Sequence, residues 1–85
     1  MDPKIALLIL CDENMPREER EEACDALNDW LDCEGFPPVV RHLDIGGEYD
    51  VVRATYTQVH LRQRHPERTR LVVSCQAIRE DFELI

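Results

Sequence analysis

No apolar run in this chain exceeds the six residues Ile5 to Leu10, which Cys11 extends by one. That is far too short to cross a bilayer, and Asp2 stands where a signal peptide carries its basic residues, so no membrane role is expected and the expected location is cytoplasmic. Glycine is scarce, with three in the chain, and Gly46-Gly47 lacks the lysine and the third glycine that a phosphate-binding loop requires. The four cysteines, at 11, 24, 33 and 75, form no CxxC pair. Cys24 and Cys33 fall on opposite sides of any helix that contains both, so they cannot bridge there, and reduced, buried thiols are expected at all four positions. Basic residues are also few: ten Lys and Arg face eighteen Asp and Glu, for a net charge of −8. Direct binding to nucleic acid, which depends on neutralising phosphates, is therefore not expected.

The 85 residues, 44% apolar and 33% charged, suit one folded domain spanning 1–85, with a modest core. "KIALLILCD", residues 4–12, reads as a central strand because a continuous aliphatic run suits an element covered on both faces. Asn14 and Pro16 then mark a helix start near residue 15. Ala23, Ala26, Leu27, Trp30 and Leu31 recur at helical spacing up to residue 34, with Trp30 expected inside the core, and Gly35 followed by Pro37-Pro38 forms the stop. "VVRHLDI", 39–45, mixes β-branched and charged residues as an edge strand does, and Gly46-Gly47 supplies a turn. The spacing predicts a strand over 49–56, a short helix or turn over 57–65, a polar break at "HPERTR" and a last strand at "RLVVSCQ". "AIREDFELI" fits either an extension of that strand or a turn of helix.

The resulting order, β-α-β-β-(α)-β, is most simply a small ferredoxin-like two-layer α+β sandwich. One long acidic amphipathic helix would pack on a mainly antiparallel four-stranded sheet, with the first and third strands central. "GGEYDVV" and "ERTRLVVS" resemble the matching strands of the ligand-sensing modules attached to leucine-responsive and AsnC-type bacterial regulators. The resemblance covers about 15 of the 85 residues and lacks that family's full second helix and its DNA-binding domain. It implies this sheet order and amino-acid binding at a dimer interface.

Candidate chemistry is sparse. Asp12 and Glu13 fall at the carboxyl end of the first predicted strand, where a pair of carboxylates could hold Mg²⁺, although the same residues also favour the start of the following helix electrostatically. His42, His60 and His65 could each act as a general base, but none has a nucleophile or orienting carboxylate at a telling spacing, and no catalytic residue, cofactor or metal site is assigned.

What stands out is "PREEREEACDALNDWLDCEG", residues 16–35, in which eight of ten charged side chains are acidic. Glu18, Glu22, Asp25, Asp29 and Asp32 fall on the helix face opposite the apolar one, in a stripe about 21 Å long at 1.5 Å per residue. A solvated helix face is the plainer account of such a row. Offset only by Arg17 and Arg20, however, the row also suits a basic surface, and its rise of about 5 Å between carboxylates is of the order of the phosphate spacing along a nucleic-acid strand. The expectation is a non-enzymatic acidic binding protein, an inhibitor or nucleic-acid mimic, whose partner is a basic protein surface such as that of a nucleic-acid-binding protein. One alternative is a small-molecule-sensing or oligomer-forming module that dimerises through its sheet. The other is a metal-dependent enzyme using Asp12.

Overall fold

The computed structural model describes residues 2–64 and 69–85. Its first element is a helix and not the expected strand: α1 runs Pro3–Cys11. The Asp2 side chain accepts from Lys4 N at 2.8 Å, and Pro3 occupies the first helical position, where its missing N–H leaves no bond unmade. The aliphatic run that follows consists of Ala, Leu and Ile, without the Val, Thr or aromatic residues that favour strands, and continuous apolarity alone does not separate a buried strand from a packed helix. Ala6, Leu7, Leu10 and Cys11 are buried, whereas Ile5 and Leu8 remain exposed.

The long expected helix is present as α2, Arg17–Asp32. Asn14 does not cap it: its backbone N–H donates to Asp12 Oδ1 in the turn between the helices, and Pro16 stands at the N-cap without a side-chain bond. At the other end the left-handed residue is Glu34 (φ 60°), while Gly35 is required for a different reason. A Cβ at Gly35 would lie 2.4 Å from the Trp30 indole. Trp30 itself donates from Nε1 to Phe36 O at 2.8 Å and is 39% exposed, so it clamps the exit from α2 and does not fill the core as expected. The buried positions of α2 are Ala23, Cys24 and Leu27.

Among the described residues, five strands and a third helix follow: β1 Val39–His42, β2 Glu48–Ala54, β3 Gln58–Gln63, β4 Arg70–Ser74, α3 Cys75–Asp81 and β5 Phe82–Leu84. All pairings are antiparallel, in the order β4-β3-β2-β1-β5. The molecule is thus a small α+β domain with a five-stranded antiparallel sheet and, among the described residues, three helices. The ferredoxin-like order and its four-stranded sheet are corrected accordingly.

Three local signals account for the differences in the sheet. β1 stops at His42, whose Nδ1 accepts from Asp44 N and Ile45 N (3.1 and 3.3 Å) to form the turn, and Gly46 and Gly47 close it at positive φ (69° and 85°). β1 is not an edge, because β5 pairs on its far side, Val40 opposite Leu84 and His42 opposite Phe82. Residues 58–63 form β3 and not a helix, after a tight connection in which Thr55 N donates to Gln58 O and Gln58 N donates to Thr55 Oγ1. The part of the expected helix at residue 65, and most of the "HPERTR" break, lie outside the described residues. "CQAIRED" becomes α3, capped by Ser74 Oγ, which accepts from Ala77 N at 3.0 Å.

One sheet face carries Val40, Tyr49, Val51, Ala54, Val59, Leu61 and Phe82, and these join the buried faces of the helices in a single core. Three of the four cysteines belong to it; Cys33 is exposed, contrary to the expectation of burial throughout. β2 outruns β1 and leaves the Ala54 peptide groups without a strand partner on that side. Asn28 of α2 takes the partner's place: its Nδ2 donates to Ala54 O at 2.8 Å and its Oδ1 accepts from Ala54 N at 3.0 Å.

Asn28→Ala should therefore destabilise the protein by about 1–3 kcal/mol, since Ala54 N loses its side-chain partner and Ala54 O keeps only the weak Cys24 Sγ donor at 3.4 Å in a part-buried site. Leu27→Ala, at a fully buried position, should cost about 2–5 kcal/mol. Urea unfolding measures both, and a loss under about 0.5 kcal/mol for Asn28→Ala, the range of an ordinary surface substitution, would show that water replaces the amide without penalty.

Candidate functional site

The phase of α2 is fixed by what it buries. Ala23, Cys24, Leu27 and Asn28 face the core and the end of β2, so the opposite side of the helix is left to solvent. Glu18, Glu22, Asp25, Asp29 and Asp32 all lie on that side and all are exposed. The structure therefore brings the five expected site residues together as one row.

The two arginines of the helix, expected to offset the row in part, are both engaged. Arg20 turns inward: its Nε donates to Leu10 O at 2.9 Å, Nη1 reaches Tyr56 Oη at 3.3 Å, and the guanidinium lies 4.7 Å from the Tyr56 ring centroid. Arg17 also approaches that ring, at 5.0 Å, and pairs with Glu21 at 2.9 Å. The Glu21 hydrogen bond and charge raise the Arg17 pKa above its ordinary value. Of the five carboxylates in the row, Asp32 alone has a cationic neighbour among the described residues, Arg53 Nη1 at 4.0 Å with both side chains more than half exposed. Helix α2 holds seven carboxylates against two guanidinium groups, so its outer side is a fixed, nearly uncompensated array of negative charge. Such an array can attract guanidinium and ammonium groups; it contains no pairing of an acid with a nucleophile.

Asp12 and Glu13, which could have shared an ion had they converged, do not do so. Asp12 Oδ1 accepts from Asn14 N at 2.9 Å, whereas Glu13 Oε2 turns to Arg79 Nη2 at 3.3 Å, so the two carboxylates serve different partners. Among the described residues, no cluster of three or more His, Cys, Asp or Glu side chains could hold an ion. His42 is occupied as the acceptor of the β1–β2 turn and packs edge-on against Phe82 at 4.8 Å. His60 lies on the sheet face away from the helices, opposite Arg53 and Val72 in the strand register, and His65 lies outside the described residues.

That outer sheet face holds a second charged group which the sequence reading did not assemble. Arg41 reaches Glu83 (3.2 Å) and Glu48 (3.7 Å); Arg64 reaches Glu48 and Asp50 (both 3.3 Å); Arg62 reaches Asp50 at 3.6 Å. Asp50 is the most enclosed member, its side chain 13% exposed. Its Oδ1 is buried and makes no hydrogen bond, because the Arg64 contact is off the bonding direction. A cleft of about 310 Å³ opens beside Arg41, Gly47, Glu48 and Arg64. The signal was present as an alternation of period two, Glu48 and Asp50 in β2 and His60, Arg62 and Arg64 in and after β3, once both segments are read as strands.

Comparison with known proteins returns no family model that matches the chain, and neither curated proteins nor solved structures show a significant match.

The two ion-pair settings should differ in worth. Asp50→Ala leaves Arg62 and Arg64 facing each other without their shared carboxylate and should cost about 1–3 kcal/mol. Asp32→Ala removes one long contact in open solvent and should change stability by less than about 0.5 kcal/mol. Thermal unfolding at low and moderate salt tests the pair; equal effects would mean that the enclosure of Asp50 adds nothing.

Proposed function

We propose that this protein is a non-enzymatic binding protein that presents the acidic outer side of α2 to a basic surface on a partner protein. The observation that carries the reading is the fate of the two arginines in α2: with Arg20 bonded inward and Arg17 held by Glu21, the row from Glu18 to Asp29 keeps its full charge. A rigid helix also holds those charges in place before contact, so less side-chain and backbone order is lost on binding than for a disordered acidic tail. A groove that normally accepts nucleic acid is the basic surface whose chemistry fits best, because it already contains closely spaced lysines and arginines directed at a line of negative charge. Occupying it would make the protein an inhibitor of its partner.

A second reading, self-association through the sheet, draws support from the outer sheet face, which no helix among the described residues covers and which carries Arg41, Arg62 and Arg64 together with Val72, 50% exposed. In that reading the partner is another copy of the chain. Sedimentation at rising concentration separates the two, since the sheet reading requires a dimer and the helix reading functions as a monomer.

The direct test of the first reading is recovery of a partner by the immobilised protein, repeated at high salt. Simultaneous reversal of Glu22, Asp25 and Asp29 to Lys should abolish recovery with little change in stability, because exposed charges contribute little to the fold. The matched control reverses Asp44, Glu80 and Asp81, all exposed and away from α2, and should retain most of the binding. Equal loss in both variants would indicate diffuse net-charge attraction in place of a face. Binding that survives both would exclude the α2 surface.

A further inference from the structure

Helix α1 is apolar on both of its sides, with Lys4 the one charged side chain between Pro3 and Cys11. A helix of that composition is normally covered all round. Here Ala6, Leu7, Leu10 and Cys11 are packed into the core, while Ile5 and Leu8, on the opposite side and one turn apart, are 51% and 57% exposed. Nothing among the described residues covers them. A cleft of about 260 Å³ adjoins this face, bordered by Leu8, Cys11, Asp12 and Arg79. Arg79 is held at its rim, donating through Nη1 to Cys11 O at 2.9 Å and through Nη2 to Glu13 at 3.3 Å.

The two ends of the face carry opposite charges. Lys4, in the first turn, is exposed, and Asp12, at the C-cap, is half-buried, its Oδ1 accepting from Asn14 N at 2.9 Å. Neither takes part in an ion pair among the described residues. Lys4, Leu8 and Asp12 follow one another at four-residue intervals and so form one row along the helix, with Leu8 at its centre and Ile5 beside it.

We propose that this face is a self-association surface, on which α1 of one copy lies antiparallel to α1 of a second copy across a two-fold axis at Leu8. A two-fold contact presents the same patch from both sides and must be complementary to itself. About an axis at Leu8, positions equally far from it meet. Leu8 then packs on its own counterpart, Lys4 faces the second copy's Asp12 at both ends, and Ile5 comes opposite Cys11, where the cleft receives it. In a chain of net charge −8, a face with one charge of each sign is a place where two copies approach with little repulsion. The nine-residue helix is about 14 Å long, and two of that length bury less than the roughly 1,200 Å² at which stable interfaces begin. The dimer is therefore weak and concentration-dependent. None of the acidic residues from Glu18 to Asp32 takes part, so the proposal stands or falls independently of the α2 reading.

The test is sedimentation equilibrium of the full chain at rising concentration, which should show a monomer passing into a dimer. Leu8→Glu should abolish the dimer, whereas Val72→Glu, on the outer sheet face, should leave it unchanged. Lys4→Glu should weaken association about fivefold, since the symmetry counts two exposed ion pairs, and Lys4→Glu combined with Asp12→Lys should restore it. Leu8→Cys in a Cys33→Ser background should give, under mild oxidation, a dimer linked through the two introduced thiols. Circular dichroism checks that each variant folds; should Leu8→Glu or the double variant not fold, the Lys4→Glu and Leu8→Cys results decide. A wild-type chain that stays monomeric at every concentration, a dimer lost in Val72→Glu and kept in Leu8→Glu, or one indifferent to Lys4→Glu and not linked through position 8 would overturn the proposal.

Discussion

The side-chain amide of Asn28, bonded at both ends to the peptide groups of Ala54, fixes how helix and sheet meet. Strand β2 needs a partner where β1 has ended, and an amide offers one donor and one acceptor in the same plane, as a neighbouring strand would. A side chain that must satisfy both groups at about 2.9 Å leaves the helix little freedom to roll. Once Asn28 faces β2, Leu27 and Ala23 enter the core, Arg20 falls beneath the helix against Leu10 and Tyr56, and the carboxylates of the row turn outward to the surface. The charge pattern of the surface therefore follows from a polar bond inside.

The same constraint divides the charge of the molecule. On the helical side, acidic residues outnumber their internal partners. On the outer sheet face, arginines and carboxylates are interleaved strand by strand, and Arg41, Arg62 and Arg64 are each paired. Opposite charges placed across strands support the pairing they straddle, whereas like charges along a helix face work against it. The acidic row is thus a local cost to α2 that packing of Leu27 and the Asn28 bonds offset.

The parts of the fold legible in the sequence were those where two signals agreed. α2 combined helical spacing with the Pro37-Pro38 stop beyond Gly35, and β4 and the Gly46-Gly47 turn combined β-branched or glycine content with clear borders. Residues 3–11 read as a strand because a two-face-covered strand and a packed helix share the same composition, and the Asp2-Pro3 cap that starts α1 played no part in that reading. Trp30 fell on the apolar side of the helical projection, yet Gly35 left a gap that the indole filled, a contact no spacing reveals. β5 could not be foreseen from three residues; its place is set by the free edge of β1. For the candidate site, the acidic row follows residue by residue from helical spacing, but the inward turn of Arg20 depends on tertiary contacts with Leu10 and Tyr56.

The central claim is the rotational setting of α2, and its most direct measurement is the enhancement of NMR relaxation along residues 17–32 by a soluble neutral gadolinium chelate. The side-chain signals of Glu18, Glu22, Asp25, Asp29 and Asp32 should be strongly broadened and those of Ala23, Leu27 and Asn28 protected, giving a wave of period near 3.6 residues with its maximum on the carboxylates. A wave of the same period with its maximum shifted onto Ala23 or Asn28, or no wave at all, would contradict the account.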